Sequence, residues 1–209
     1  MSLVGKKAPV FNNSAILNGE DIVESFSLEQ FIGNKEILFF FYAMDFGFVC
    51  PTELLAFQNK LEEFKKRDVE VIGCSTDTEE AHIAWLNLEK DKGGIKGVKF
   101  PLVVDSAKTI SSNFGVLGGN WTYDDNEMLL FEGSPFAYRA SFFIDRDGIV
   151  RHESVNDIPI GRNIDEYLRI VDAWQHTQKF NEVCPANWRK GDDALPPTRE
   201  GIAQYLATH

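Results

Sequence analysis

Of three cysteines in this 209-residue chain, Cys50 stands in the run Phe46-Gly47-Phe48-Val49-Cys50-Pro51-Thr52-Glu53. The apolar segment Glu36 to Tyr42 precedes that run and an amphipathic segment follows it, so the thiol falls at a strand-to-helix junction. There, unpaired backbone N–H groups and the positive end of the helix dipole favour thiolate over thiol, which makes the sulfur a nucleophile at neutral pH. Pro51 fits the first helical position, where a missing N–H costs nothing. Leu54, Phe57, Leu61 and Phe64 recur at threes and fours with Glu62, Glu63, Lys65 and Lys66 opposite them, and this predicts a helix over 52–67. A free cysteine is most often a small buried hydrophobe. Position argues for chemistry at Cys50, whereas Cys74, at the end of the apolar Val71-Ile72-Gly73 strand, takes the buried structural reading.

The elements that must hold such a thiol alternate along the chain. Strands are predicted near 36–42, 69–74 and 100–105, and helices near 52–67, 78–91 and 107–114, the mark of a layered α/β sheet. Thr76 with Glu79 offers a capping box for the second helix, and Lys92-Gly93-Gly94 ends it. Arg139–Asp145 and Ile149–Glu153 flank the turn Arg146-Asp147-Gly148, so a hairpin makes the sheet mixed rather than purely parallel. Residues 118–136 mix turn formers, acids and aromatics over a length beyond a short connection, which predicts a functional loop or an added hairpin. Their two glycines lack the Gly-Lys-Ser/Thr of a phosphate loop. Ile164, Leu168, Val171 and Trp174 predict a helix over 164–178 that completes a domain over 1–179. Beyond it, Val183-Cys184-Pro185, the breaker Pro196-Pro197 and a short helix near 200–207 read as an arm over 180–209.

Composition narrows the partners. The formal net charge of −11 disfavours nucleic acid and anionic membrane, since both would be repelled. No signal-peptide core opens the chain and no stretch approaches the roughly 20 apolar residues of a membrane span, so a cytoplasmic protein is expected. An odd number of cysteines suits a reducing compartment better than a disulfide framework. Cys50, Cys74 and Cys184 are too dispersed for a structural zinc site, and His82, His152, His176 and His209 form no ligand pairs, so no metal is expected. No Cys-x-x-Cys pair supports a plain thioredoxin-type oxidoreductase.

Seven blocks in order then carry a resemblance: Asp45-Phe46, Phe48 to Glu53, Ala84-Trp85-Leu86-Asn87, Phe100-Pro101-Leu102-Val103, Ala137-Tyr138-Arg139, Asn156 to Arg162 and Val183-Cys184-Pro185-Ala186. Over nearly its whole length the chain resembles the typical two-cysteine peroxiredoxins of the alkyl hydroperoxide reductase C type. That resemblance implies a thioredoxin-like α/β fold with a mixed central sheet and an extended C-terminal arm. It implies peroxidase activity on hydrogen peroxide and organic hydroperoxides without metal or organic cofactor. It implies Cys50 as the peroxidatic thiolate and Cys184 as the resolving cysteine of a partner subunit, with Arg139 at the active site, Glu53 orienting it and Arg162 in a mainly structural role. The partners implied are a thioredoxin-like or flavoprotein disulfide reductase and further copies of the chain, in a homodimer and a ring of dimers, a decamer.

Two motif positions depart from the family. A proline seven residues before the peroxidatic cysteine and a threonine or serine three before it are here Ala43 and Gly47. Loss of that hydroxyl removes a transition-state contact of a kind worth ~10²–10³ in rate. Gly47 is expected to leave a gap or a mobile loop, and Ala43 to loosen the pocket floor. These substitutions keep open a second reading: a catalytically weakened redox sensor, scaffold or chaperone on the same fold, or an active-site mutant.

Overall fold

The computed structural model describes residues 2–209. The chain divides into two compact units, one ending at Arg162 and one from Asn163 to His209.

The first unit is built on a mixed seven-stranded sheet in the order β2 (Asp21–Phe26), β1 (Asn13–Leu17), β5 (Leu102–Val104), β4 (Val69–Ser75), β3 (Glu36–Phe41), β8 (Arg139–Ile144) and β9 (Val150–Asn156). An inner strand, β3 (Glu36–Phe41), runs parallel to β4 (Val69–Ser75) and antiparallel to β8 (Arg139–Ile144). β3 is covered on both faces, which is why its sequence is an unbroken apolar run rather than an alternation. Phe39 and Phe41 pack with Phe114 and Phe142 on one side. Phe40 stacks on Phe57 at 4.1 Å on the other, so the sheet fixes the helix that carries Cys50. β5 (Leu102–Val104) extends the parallel portion, and β9 (Val150–Asn156) closes the hairpin with β8.

That helix, α1, spans Cys50–Lys65, so Cys50 is its first residue rather than the residue before it. Cys50, Glu53, Leu54, Phe57, Leu61 and Phe64 are its buried residues. The three- and four-residue steps that bury the apolar stripe therefore also put a carboxylate one turn above the thiol on the same inward face.

α2 (Glu79–Asn87) is capped by Thr78, whose hydroxyl accepts from the Ala81 N–H, and not by Thr76 as the sequence pattern predicts. Thr76 instead donates its hydroxyl to the Pro135 carbonyl at 3.3 Å. α3 spans Thr109–Asn113. Residues 118–136 belong to an added hairpin, β6 (Leu117–Tyr123) with β7 (Leu129–Ala137), which forms a separate two-stranded sheet. The edge hairpin β1 (Asn13–Leu17) and β2 (Asp21–Phe26) was not among the sequence expectations. The second unit holds α4 (Ile164–Phe180) and α5 (Arg199–Thr208), with an isolated bridge pairing Val183 and Leu195 between them. Among the described residues, no helix is long and apolar enough to cross a membrane.

Candidate active site around Cys50

Cys50 is 1% exposed. The Arg139 guanidinium, entering from the first residue of β8, donates through Nη1 to its Sγ at 3.3 Å and to Glu53 Oε2 at 2.8 Å. Arg139 Nε donates to the Ile158 carbonyl at 2.6 Å, which fixes the planar group from its far end. Glu53 is in turn gripped by Arg162, with Nε on Oε1 at 2.9 Å, Nη2 on Oε2 at 2.8 Å and the backbone N–H on Oε1 at 2.9 Å. The remaining Arg162 nitrogen, Nη1, donates to the Phe41 and Ala140 carbonyls and to Ser141 Oγ. Its guanidinium carbon stands 4.9 Å from the centroid of the Phe40 ring.

Two arginines therefore share one carboxylate, and the buried cluster has an excess positive charge whose nearest unneutralised neighbour is the sulfur. Burial pushes the Glu53 carboxyl up, but the charge and hydrogen bonds of Arg162, with the charge of Arg139, outweigh it and hold the group below the ordinary glutamate range. Burial works against the Arg139 cation too, and contacts with the Cys50 sulfur and Glu53 more than offset it, so its affinity for the proton rises. A cation donating a hydrogen bond to sulfur stabilises the sulfur anion and leaves a second guanidinium edge to polarise an oxygen brought against it. Glu53 and Arg139, singled out from the sequence, converge on Cys50. Arg162, expected to be mainly structural, supplies three of the four hydrogen bonds that orient Glu53.

The loop before Cys50 is tightly held. Asp45 accepts from the Tyr42 hydroxyl at 2.9 Å and pairs with His82 Nδ1 at 2.7 Å, and its backbone N–H donates to Asp77 Oδ2. Burial disfavours a charged His82, but its hydrogen bond and charge pairing with Asp45 raise its pKa on balance. Phe46 has φ of 57°, a left-handed conformation unfavourable outside glycine, with its ring 5.8 Å from that of Trp85. Sequence reasoning used Asp45 and Trp85 as motif residues but missed this network, because Asp45 and His82 stand 37 positions apart.

The expected gap at Gly47 is absent. A Cβ built there would lie 3.1 Å from Cys50 Sγ and 3.3 Å from the Met44 carbonyl oxygen, so the sulfur and that carbonyl already crowd the space a side chain would take. Ala43 is 2% exposed and packed into the interior.

Cys184 belongs to the second unit. Its Sγ donates to the Ala173 carbonyl at 3.6 Å. Burial raises its pKa, a push that Arg169 opposes and Glu182 reinforces. Cys74 is fully buried, and burial, aided by Asp105, drives its thiol well up, consistent with a structural role.

Residues 4–153 match the AhpC/TSA family, and residues 173–208 match the C-terminal domain of 1-Cys peroxiredoxin. Alkyl hydroperoxide reductase C from Helicobacter pylori (strain J99) is 43% identical over 204 residues, covering 98% of this chain and 96% of that protein. Peroxiredoxin-2 from Rattus norvegicus is 39% identical over 206 residues, covering 99% and 96%. Among solved structures, the reduced 2-Cys peroxiredoxin of Plasmodium vivax aligns with a TM-score of 0.88 at 42% identity, covering 99% of this chain and 100% of that one.

Proposed function

The chain belongs to the AhpC/TSA family of thiol-dependent peroxidases, and on that premise we propose that Cys50 is its peroxidatic cysteine and Cys184 its resolving cysteine, in a disulfide between subunits. The observation that carries the assignment is the Arg139 Nη1 contact to Cys50 Sγ at 3.3 Å, in a cluster where Arg162 anchors the shared Glu53.

The Cys50 thiolate attacks the terminal oxygen of a hydroperoxide, and the O–O bond breaks. The sulfur becomes a sulfenic acid, and the departing alkoxide or hydroxide takes a proton to leave as alcohol or water. Arg139 holds the anion before attack and neutralises charge on the oxygens as they separate, while Glu53 keeps the guanidinium plane facing the sulfur. The Cys184 thiol then displaces the sulfenic oxygen as water, giving the disulfide. Because Cys50 begins α1, unwinding one helical turn exposes its sulfur for that second step, and first turns are where helices open most readily.

A thioredoxin-like or flavoprotein disulfide reductase returns two electrons and two protons and restores both thiols. A homodimer is the smallest assembly this chemistry requires, and the family resemblance supports a ring of dimers, a decamer. An odd number of cysteines, three, supports a reducing compartment, the cytoplasm. No feature of the site favours the scaffold or sensor reading over a peroxidase.

The test is stopped-flow consumption of hydrogen peroxide by the reduced protein beside Cys50→Ser, followed by mass mapping of the product. A fast Cys50-dependent reaction ending in a Cys50–Cys184 linked dimer is expected. A rate no faster than that of an ordinary thiolate, or a disulfide through Cys74, would sink the assignment.

A further inference from the structure

We propose that the β6–β7 ribbon is the docking element for the disulfide reductase that recycles this enzyme, a partner whose contact face is an apolar patch bordered by lysine or arginine. The proposal rests on the peroxidase reading, since only a disulfide at Cys50 gives a reductase reason to come there.

The ribbon is a two-stranded sheet whose strands pair with none in the seven-stranded sheet. An isolated pair of strands is marginal in water unless one face is covered. Register puts Tyr123 opposite Leu129, Trp121 opposite Phe131 and Gly119 opposite Gly133, so these six positions share one face. On it, Trp121, Tyr123 and Leu129 are 56%, 70% and 52% exposed.

The face is built rather than loose. Trp121 and Phe131 meet edge to face at 5.0 Å. A Cβ on Gly119 would fall 2.6 Å from Phe131 Cε1 and 2.3 Å from the Glu132 carbonyl oxygen, so the Phe131 ring lies over a position that only glycine can fill. Three exposed aromatic and aliphatic side chains, backed by the Phe131 ring, are of the residue types that anchor protein contacts.

Charge selects the occupant. Residues 109–138 contain Asp124, Asp125, Glu127 and Glu132 and not one lysine, arginine or histidine. Stacking two such ribbons would bring like charges together in a chain of net charge −11, which disfavours a second copy. A partner with a cationic border is attracted. Position selects its role. β7 ends at Ala137, and after Tyr138 the next residue is Arg139, on the Cys50 sulfur. The ribbon is thus joined at its base to the reacting centre, with its exposed residues six to eight positions out from Ala137, roughly 20–26 Å of strand, a span that a folded reductase domain bridges. Hydroperoxides need no docking surface. A reductase does, because its thiolate must approach a disulfide sulfur in line, form a mixed disulfide, and be released when its own second thiol closes.

The two half-reactions are separable, and the experiment uses that separation. The full chain is compared with Trp121→Ser/Tyr123→Ser and with the charge reversal Asp124→Lys/Asp125→Lys. Oxidation by hydrogen peroxide is followed by stopped flow, and reduction is followed with dithiothreitol, with thioredoxin recycled by its reductase and NADPH, and with an NADH-dependent flavoprotein disulfide reductase. Expected are unchanged peroxide and dithiothreitol rates in every variant, and a KM for the protein reductant raised by about tenfold or more in the double serine variant. The charge reversal is expected to raise KM with a flattened salt dependence. An unchanged KM in both variants, or a wild-type disulfide that dithiothreitol reduces and neither protein reductant does, overturns the proposal. Absence of Cys50-dependent peroxide consumption in the wild type overturns instead the reading on which it rests.

Discussion

Cys50 and Cys184 are the same side chain in opposite electrostatic settings. Cys50 receives a hydrogen bond from a buried guanidinium at 3.3 Å, at the first turn of a 16-residue helix. Cys184 gives one to the Ala173 carbonyl, behaving as a neutral donor, with its proton held more tightly by burial and Glu182 than Arg169 can offset. Cation and helix terminus stand around one sulfur, carbonyl and carboxylate around the other: under the proposed assignment, that difference separates the thiol that attacks from the one that arrives second.

The largest effect tests that division directly. Cys50→Ser should abolish peroxide consumption, whereas Cys184→Ser should leave the first oxidation at its wild-type rate and remove the linked dimer and turnover with protein reductants. Rapid-mixing kinetics with non-reducing electrophoresis reads both. Equal losses in the two variants would erase the distinction.

Next is the cation that makes the settings differ. Arg139→Met should lower the second-order rate with hydrogen peroxide by ~10²–10³ while the fold persists, by analogy with the loss of a single oxyanion donor. Arg139→Lys should recover little, because a point charge cannot bridge Sγ, Glu53 and the Ile158 carbonyl at once. Circular dichroism separates lost chemistry from lost structure.

Glu53 supports the Cys50 setting from beneath, and its effect is read in stability. With a side chain only 2% exposed between two arginines, Glu53→Gln leaves their charges uncompensated and should destabilise by roughly 3 kcal/mol. The folded-state pKa of Glu53 is depressed, so its contribution is complete above the ordinary glutamate value and is lost as pH falls through the lowered one. Denaturant midpoints measured from pH 6 downward should fall more steeply in the wild type than in Glu53→Gln. Parallel curves would mean that the carboxylate is not held as its geometry implies.

How much of this was legible beforehand depends on sequence distance. The β3 run, the stripe of α1 and the β8–β9 turn are local patterns, and the sequence placed each within a residue or two. The β1–β2 hairpin was equally local and was overlooked: Asn18-Gly19, with φ of 55° and 87°, is a strong hairpin signal between short strands. Thr76 was preferred over Thr78 as a cap because the Thr76–Glu79 spacing imitates a capping box, yet the helix begins one residue after Thr78. In the site, Cys50, Glu53 and Arg139 were legible as motif members. The grip of Arg162 on Glu53 spans 109 positions, and no local pattern encodes it.

The smallest expected effect bears on the departure most visible in the sequence. Gly47 stands where the family carries a hydroxyl, and the Cys50 sulfur and Met44 carbonyl crowd the space a side chain would take there. Gly47→Ala sets a methyl group 3.1 Å from Cys50 Sγ and 3.3 Å from the Met44 carbonyl, a tight fit that these neighbours relieve by shifting a few tenths of an ångström, at a cost of about 1 kcal/mol, the low end of overpacking. Part of that cost should appear as a several-fold slower reaction with peroxide. Gly47→Ser carries the same close contact and adds only the hydroxyl, so comparing the two isolates what the oxygen does. Equal rates would mean that the Arg139 cluster alone sets the reactivity of Cys50. A serine variant faster than the alanine one would show that a hydroxyl at position 47 still assists the Cys50 sulfur.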